Sequence, residues 1–430
     1  MSNRSRALLA GLVLLLGAAV GIPRSAEAQS DTAALEQDFD AALAAIEERR
    51  LRTARTELSR LLAANPSLSR ARLELAKVHY LSGDYAAART EAQRVLDDPD
   101  TPPTVRATVL AFLAQIDADE RRFAARHTWS PSLYAGLLYD SNVNVGPSRD
   151  IIDIGGLPFA VAPESRETSD WAAVVNAGLA HTFNPGKRFD WGERTGSFIW
   201  QSEANAYYRA YFDENDFNLG VLTLRTGPAW IVPDRWRAYV ALQADEIFLG
   251  GEDLALFASV NPGIAWQVGD EWEVGLDAMI TDRNYHDDEN EGRDGLYVAP
   301  YLTVGRYFSQ RTVLVQAGVG YPDFDADEER FSYGGPDVFL AFTAAAWENG
   351  TVFGRLAYRW YDFDGVEPLF NVPRDDEELR ATLGFQHDFR AGWLANWALV
   401  GGWTYTDNSS NVDLYDYDRH QVGLGLSRRF

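Results

Sequence analysis

From Trp129 to the C-terminal Phe430 apolar residues recur at every second position, segment after segment, and no other feature narrows the possible folds of this chain so far. Successive side chains of an extended strand point to opposite faces, so each such segment carries one apolar and one polar face. In the last segment Val422, Leu424, Leu426 and Phe430 share a face, with Arg428 the exception, while Gln421, Gly423, Gly425, Ser427 and Arg429 share the other. The same alternation sets Leu379, Ala381, Leu383 and Phe385 against Arg380, Thr382, Gly384 and Gln386, and Trp272, Val274, Leu276, Ala278 and Ile280 against Glu271, Glu273, Gly275 and Asp277. The spacing predicts fourteen strands, at 132–139, 171–183, 196–212, 217–230, 235–248, 254–267, 271–284, 294–308, 311–322, 336–347, 351–362, 378–389, 393–406 and 419–430.

Strands this long suit a tilted membrane barrel, since a soluble sandwich uses shorter ones. Connection lengths test the idea independently. Val232-Pro233-Asp234, Gln267 to Asp270, Ser309-Gln310, Glu348-Asn349-Gly350 and Arg390-Ala391-Gly392 are tight, whereas Asp140 to Asp170, Asp323 to Gly335, Phe363 to Glu377 and Asp407 to Asp418 are long and acidic. Short turns on one side and long loops on the other mark an outer-membrane barrel. An even strand count returns Phe430 to the side where Trp129 enters, which predicts a periplasmic position for whatever precedes residue 126.

One face of each strand then meets lipid and the other a polar interior, while closure leaves no unpaired backbone at membrane depth. Inward candidates are Gln201, Glu203, Asn205, Tyr207 and Arg209 on the third strand and Arg355, Arg359 and Tyr361 on the eleventh; Trp200, Ala204, Tyr208, Leu356, Tyr358 and Trp360 take the other parity. Fourteen strands enclose more space than side chains alone fill, so the lumen is watery, plugged or both. The apolar end formed by Leu424, Leu426 and Phe430 is the expected assembly signal for the barrel insertion machinery, with outer-membrane lipid and lipopolysaccharide as surroundings.

Upstream the period changes to that of a helix. Residues 31 to 123 are rich in Ala, Leu, Arg and Glu, with apolar positions three and four apart. A shift of 34 superposes Leu51 on Tyr85, Ala54 on Ala88, Leu58 on Ala92 and Leu61 on Val95, the period of tetratricopeptide repeats. Gly83-Asp84 turns one helix into the next, Leu75 and Ala76 lie on an inner face, and a last helix runs from Thr104 to about Phe123. Residues 1–28 read as a signal peptide: Arg4 and Arg6, an apolar stretch from Leu8 to Ile22, and a small-residue cleavage site at Ala26-Glu27-Ala28. The expected organisation is therefore a signal peptide (1–28), a helical repeat domain (29–125) and an all-β transmembrane barrel of 14 antiparallel strands (126–430).

Composition closes off other classes. The chain carries 39 Lys plus Arg against 63 Asp plus Glu, net -24, which disfavours nucleic acid as a partner. Cys is absent, so disulfides, thiolate metal sites and cysteine catalysis are excluded. Neither a G-x-S-x-G elbow, a P-loop nor an HExxH motif occurs, and His181, His387 and His420 offer a weak basis for a nucleophilic triad; neither an enzyme nor a cofactor is expected. The acidic run from Asp282 to Asp294 lacks the ligand spacing of a calcium loop and reads as solvated. At the end of the first strand, Tyr139-Asp140-Ser141-Asn142-Val143-Asn144 breaks the alternation with residues that bond their own backbone in tight turns.

That stretch, its place near the start of a C-terminal 14-strand barrel ending in an aromatic residue, and the preceding repeat helices together resemble the surface lipoprotein assembly modifier (Slam) family of outer-membrane translocons, over nearly all of the mature chain. The resemblance implies an exported client protein, either a lipoprotein or a soluble haem- or metal-acquisition protein, delivered to the cell surface or medium. Tyr139, Asp140, Asn142 and Asn144 fall on the family pattern, with no catalytic role attached to them. A polysaccharide export barrel with a tetratricopeptide domain and a passive porin with a scaffolding domain are the alternatives; an interior rich in aromatic and acidic groups favours the former.

Overall fold

The computed structural model describes residues 26–123 and 125–430. The predicted signal peptide lies outside the described residues except for its last three, which begin the first helix. Two compact units emerge: the described residues up to 126 together with 184–198, and residues 127–183 together with 199–430.

The first unit contains helices α1 (Ala26–Glu47), α2 (Leu51–Ala64), α3 (Ser69–Leu81), α4 (Tyr85–Asp97) and α5 (Pro103–Phe123). Positions related by the 34-residue shift do equivalent work, since Ala54, Ala88, Leu58, Ala92, Leu61 and Val95 are all buried. Each buried Leu or Val removes enough apolar surface from water to contribute about 1.5–3 kcal/mol, and the alanines let helix axes approach. Gly83 adopts φ +69° at the α3–α4 turn, where a side chain is disfavoured. Asp84 then caps α4 by accepting from the Ala87 N–H at 3.2 Å.

Residues 184–198, expected within the barrel span, group with the helices. They form a hairpin that pairs Arg188 with Ser197 and Trp191 with Arg194. Its ends are matched to helix termini by charge. The Arg188 guanidinium donates to the carbonyls of Ser82, at 2.5 Å, and Gly83, just past the C-terminus of α3. The Glu193 carboxylate accepts from the Thr53 N–H at 2.7 Å in the first turn of α2. A cation at a helix C-terminus and an anion at an N-terminus each oppose the local helix dipole.

The second unit is a closed barrel. Its wall strands are β1 (His127–Asp140), β2 (Asp170–Phe183), β3 (Arg194–Tyr211), β4 (Leu219–Val232), β5 (Trp236–Leu249), β6 (Glu252–Val268), β7 (Trp272–Tyr285), β8 (Gly295–Phe308), β9 (Val313–Gly320), β10 (Asp337–Trp347), β11 (Gly350–Glu367), β12 (Val372–Asp388), β13 (Trp397–Ser410) and β14 (Tyr417–Arg429). The sheet holds 17 strands; the three not in this series are the short segments Arg188–Trp191, Asp323–Ala326 and Tyr333–Gly334, leaving a 14-strand wall. Neighbours in sequence pair antiparallel around the wall, and β1 closes it by pairing with both β2 and β14. The seam runs from Ser132 opposite Arg429 to Asp140 opposite Gln421, and the Phe430 N–H adds a bond of 2.9 Å to the Pro131 carbonyl.

The outer face is apolar and open: Leu224 is 64% exposed, Leu340 54% and Leu424 51%, the reverse of a soluble protein and the mark of an outer-membrane barrel. Arg428, the exception to the alternation, sits on this face with its guanidinium 4.5 Å from the Phe430 ring centroid and 5.7 Å from that of Trp397. Arg306 does the same over Trp272 and Phe308 while pairing with Glu271 at 3.0 Å. Both lie near the rim of tight turns, where a long cationic side chain covers an aromatic face and keeps its head in water.

Boundaries depart from the sequence expectation mainly on the other rim. The stretch 363–377, expected as a loop, is largely strand, because β11 continues to Glu367 and β12 begins at Val372 beyond a register shift between Asp362 and Val366. The long first loop carries its own hairpin, Ile151–Ile154 against Leu157–Ala160. β9 stops at Gly320 and pairing with β8 resumes at Asp323, since Pro322 between them has no N–H to donate.

Candidate functional site at the barrel seam and lumen wall

Along β1 the parity of the strand sends Tyr139 outward, its ring 5.4 Å from Trp171, and Asp140 inward. Asp140 is fully buried. Its carboxylate accepts from Arg419 Nε at 2.8 Å and Nη2 at 2.5 Å, Tyr211 Oη at 2.7 Å, Gln421 Nε2 at 2.8 Å and the Asn142 N–H at 3.2 Å. Arg419 and Gln421 come from β14 and Tyr211 from β3. Tyr211 therefore reaches over Ala172 of β2, which is completely buried beneath it, and four strands meet on the concave face of the wall. A carboxylate withdrawn from water is tolerable only when paired and fully hydrogen-bonded, as it is here.

The rest of the Tyr139–Asn144 stretch fastens the first long loop. Ser141 exchanges bonds with the backbone of His420, donating its N–H to the carbonyl at 2.9 Å and accepting the His420 N–H at Oγ at 2.8 Å. Asn142, also fully buried, clasps Gly146 through both amide atoms at 2.8 Å and donates to the Asp418 carbonyl at 3.2 Å. Val143 packs with Ala172 and Tyr211, and Asn144 bridges the Arg166 carbonyl at 2.6 Å and the Thr168 N–H at 3.1 Å. The expected turn chemistry is present, but its product is a buried node rather than an exposed loop start.

A second charged group lines β8 to β12. Asp337, buried, accepts from Tyr301 Oη at 2.6 Å and Arg359 Nε at 2.8 Å. Arg359 also lies 3.5 Å from Glu378, which pairs with Arg380 at 3.1 Å. Arg209, Arg225, Arg283 and Arg355 differ: none has a carboxylate partner among the described residues, and each guanidinium rests on an aromatic ring, at 3.7 Å for Arg355 over Phe339 and 4.4 Å for Arg283 over Tyr297.

Inner aromatic rings lie along the wall because glycine stands beneath them. A Cβ at Gly320 would come within 2.5 Å of the Tyr301 ring, and one at Gly318 within 2.2 Å of Phe339. Without those glycines the rings would have to swing toward the axis.

Of the predicted lumen candidates, Tyr207 and Arg209 share the parity of Tyr211, as do Gln201, Glu203 and Asn205, while Tyr208 on the opposite face is 51% exposed to the surroundings of the barrel. Arg355 and Arg359 stand in the second charged group. His181, His387 and His420 occupy the outer face, stacked on or bonded to Trp129, Trp347 and Trp403, each far from the other two on separate strands. Leu424 and Leu426 face outward on β14 next to the terminal Phe430. Arg419, Tyr211 and Asp337 were not anticipated; the one signal for them was a charged or phenolic residue at the polar parity of a strand end.

Comparison with known proteins gives three findings. A family described as "Protein of unknown function (DUF2860)" matches residues 282–427, under half of the chain. No curated protein matches. Among solved structures, the chain is similar to OprD of Pseudomonas aeruginosa, with TM-score 0.38 and 9% identity over 70% of this chain and 95% of that one. It is similar also to an anion-selective porin from Comamonas acidovorans, with TM-score 0.39 and 9% identity over 71% and 99%. For a bacterial polysaccharide outer membrane secretin the values are 0.37 and 11% over 70% and 98%.

Proposed function

We propose that this chain is an outer-membrane translocon of the Slam type, which delivers an exported lipoprotein or a soluble haem- or metal-acquisition protein to the cell surface or medium, with its helical repeat unit in the periplasm. The observation that carries the reading is the state of the Tyr139–Asn144 stretch. The residues on which the family resemblance rests are the ones that close the barrel: Asp140 joins β1, β3 and β14, and Asn142 and Asn144 hold the first long loop against them. The helical unit supplies the second part, since stacked helix pairs present an extended surface of the kind that holds peptide segments.

A passive porin is the second reading, favoured by four lumen arginines that lack carboxylate partners and would draw anionic solutes. The interior aromatics also suit a glycan, but the buried carboxylates Asp140, Asp337 and Glu378 are already engaged by arginines.

Deleting residues 31–123 while keeping the signal peptide separates the three. A translocon loses surface exposure of its client, scored by protease accessibility, with barrel abundance unchanged; a porin keeps its conductance and shows no client defect; a glycan exporter loses extracellular polymer. Normal client exposure without the helices refutes the proposal.

A further inference from the structure

On the outer face of the barrel, at the rim opposite the tight turns, three side chains from successive strands converge. The register of β5 against β6 shifts between Ile247 and Phe248, which brings Asp253 rather than Leu254 opposite Phe248. A bulge of this kind re-aims a side chain, here onto the outer row that Glu246 occupies. His286 follows the last residue of β7, its N–H bonded to the Leu254 carbonyl at 3.0 Å, and completes the group.

The imidazole Nε2 stands 3.0 Å from Glu246 Oε1 and 3.5 Å from Asp253 Oδ1, and all three candidate ligand atoms lie within 4.8 Å of one another. Bonds of about 2.0–2.2 Å to a tetrahedral metal set ligand atoms about 3.3–3.6 Å apart, so the nitrogen–oxygen distance to Asp253 already fits the required edge and the one to Glu246 has only to lengthen slightly. Small side-chain rotations bring the two carboxylates together.

Charge points the same way. Neither Glu246 nor Asp253 pairs with Lys or Arg among the described residues, and Asp288, Glu289 and Glu291 of the adjoining loop add to the negative field. Two carboxylates without a basic partner gather negative charge that a divalent cation balances, and an imidazole beside them is the commonest side-chain metal ligand. The donor set chooses the cation: Ca2+ seeks six to eight oxygens, whereas one imidazole and two carboxylates match Zn2+ and similar ions.

We propose that Glu246, Asp253 and His286 form a surface site for a divalent metal of the Zn2+ class, with at least one position left to water. The site ties the end of the β5–β6 hairpin to the loop after β7. It does not depend on the translocon reading. Titrating the full-length protein in detergent with Co2+ gives one saturable site per chain, with the visible absorption of a four- or five-coordinate ion, and Zn2+ displaces it. Glu246→Gln and His286→Gln each weaken Co2+ binding about tenfold or more, with barrel folding checked by heat-modified gel mobility. Asp287→Asn leaves binding unchanged, because the Asp287 carboxylate is engaged by Asn290 through its side chain and N–H at 2.8–3.0 Å. Absence of saturable binding, equal binding by H286Q, or equal loss in D287N would each overturn the assignment.

Discussion

Replacing Asp140 by Ala should destabilise the barrel more than any other single truncation in the lumen wall, and the reason lies in what is left behind. Arg419 keeps its charge, its side chain is only 17% exposed, and Asp140 is its one ion-pair partner among the described residues. Breaking a buried pair from one side costs about 3–5 kcal/mol, because the remaining charge can neither return to water nor find a partner. Tyr211 and Gln421 lose an acceptor as well. Asp140→Asn is milder: it keeps one oxygen for the Arg419 fork but forfeits the charge-assisted bonds, about 1.5–3 kcal/mol.

Paired removal of both charges, Asp140→Leu with Arg419→Met, should recover most of the loss, since an apolar pair of similar volume is often no worse than a buried salt bridge. Urea unfolding of the barrel in detergent, followed by Trp fluorescence, measures this. With a slope of about 3 kcal/mol per molar urea, D140A shifts the midpoint down by about 1 M or more. A D140A midpoint equal to that of the unmodified protein, or a coupling energy below about 0.5 kcal/mol in the double-mutant cycle, refutes the seam as a node.

Phe430→Asp places a charge on the outer face at the end of β14, where the cost, about 2–4 kcal/mol for Arg or Lys at mid-membrane and less for Asp, falls toward about 0–1 kcal/mol near a rim; the heat-modifiable barrel recovered from the outer membrane should decrease, and unchanged recovery places the assembly signal elsewhere. Gly318→Ala forces the Phe339 ring off the wall, so single-channel conductance in a planar bilayer should fall and return when Phe339→Ala is added. In the helical unit, burial pushes the His79 imidazole below its ordinary value, an effect that Asp84 at 3.7 Å only partly opposes. The unfolded chain then binds the proton more readily than the folded one, so this contribution is present above the ordinary His range near 6.5 and is lost as pH falls through it. Hydrogen exchange across residues 69–97 should accelerate between pH 7 and 5 beyond the intrinsic dependence, and His79→Gln should remove the excess.

How far these features could be read from sequence depended on the distance between partners. The wall was legible because lipid on one side and water on the other impose a period of two on every strand, and the repeat helices were legible because Ala54 and Ala88, or Leu58 and Ala92, meet equivalent burial 34 residues apart. Strand ends were not, because beyond the lipid neither face need be apolar. Arg374, Asp376 and Glu378 look like loop residues, yet Arg374 pairs with Asp376 at 2.8 Å and the strand continues through them. The hairpin at 184–198 resembles an ordinary polar turn until Arg188 and Glu193 are seen at helix ends more than 100 residues away in sequence. Within Tyr139–Asn144 the local turn chemistry of the Asn residues could be inferred, whereas the partners of Asp140 lie 71 and 279 residues off and share only a parity.

The seam also bears on the route a client would take. Nine residue pairs join β1 to β14, extended by Ser141 with His420 at one end and Phe430 with Pro131 at the other. Opening that seam toward lipid would strip backbone groups of their partners where no water replaces them, at several kcal/mol for each group. It would also pull Arg419 from Asp140. The sum far exceeds the free energy available from binding a peptide segment to a helical repeat, and no nucleotide-binding motif in the chain supplies more. Lateral release between the first and last strands is therefore the costly path. The lumen is the cheaper one: its rings lie along the wall over Gly318 and Gly320, and its unpaired arginines can exchange partners with a passing chain without breaking a strand pair.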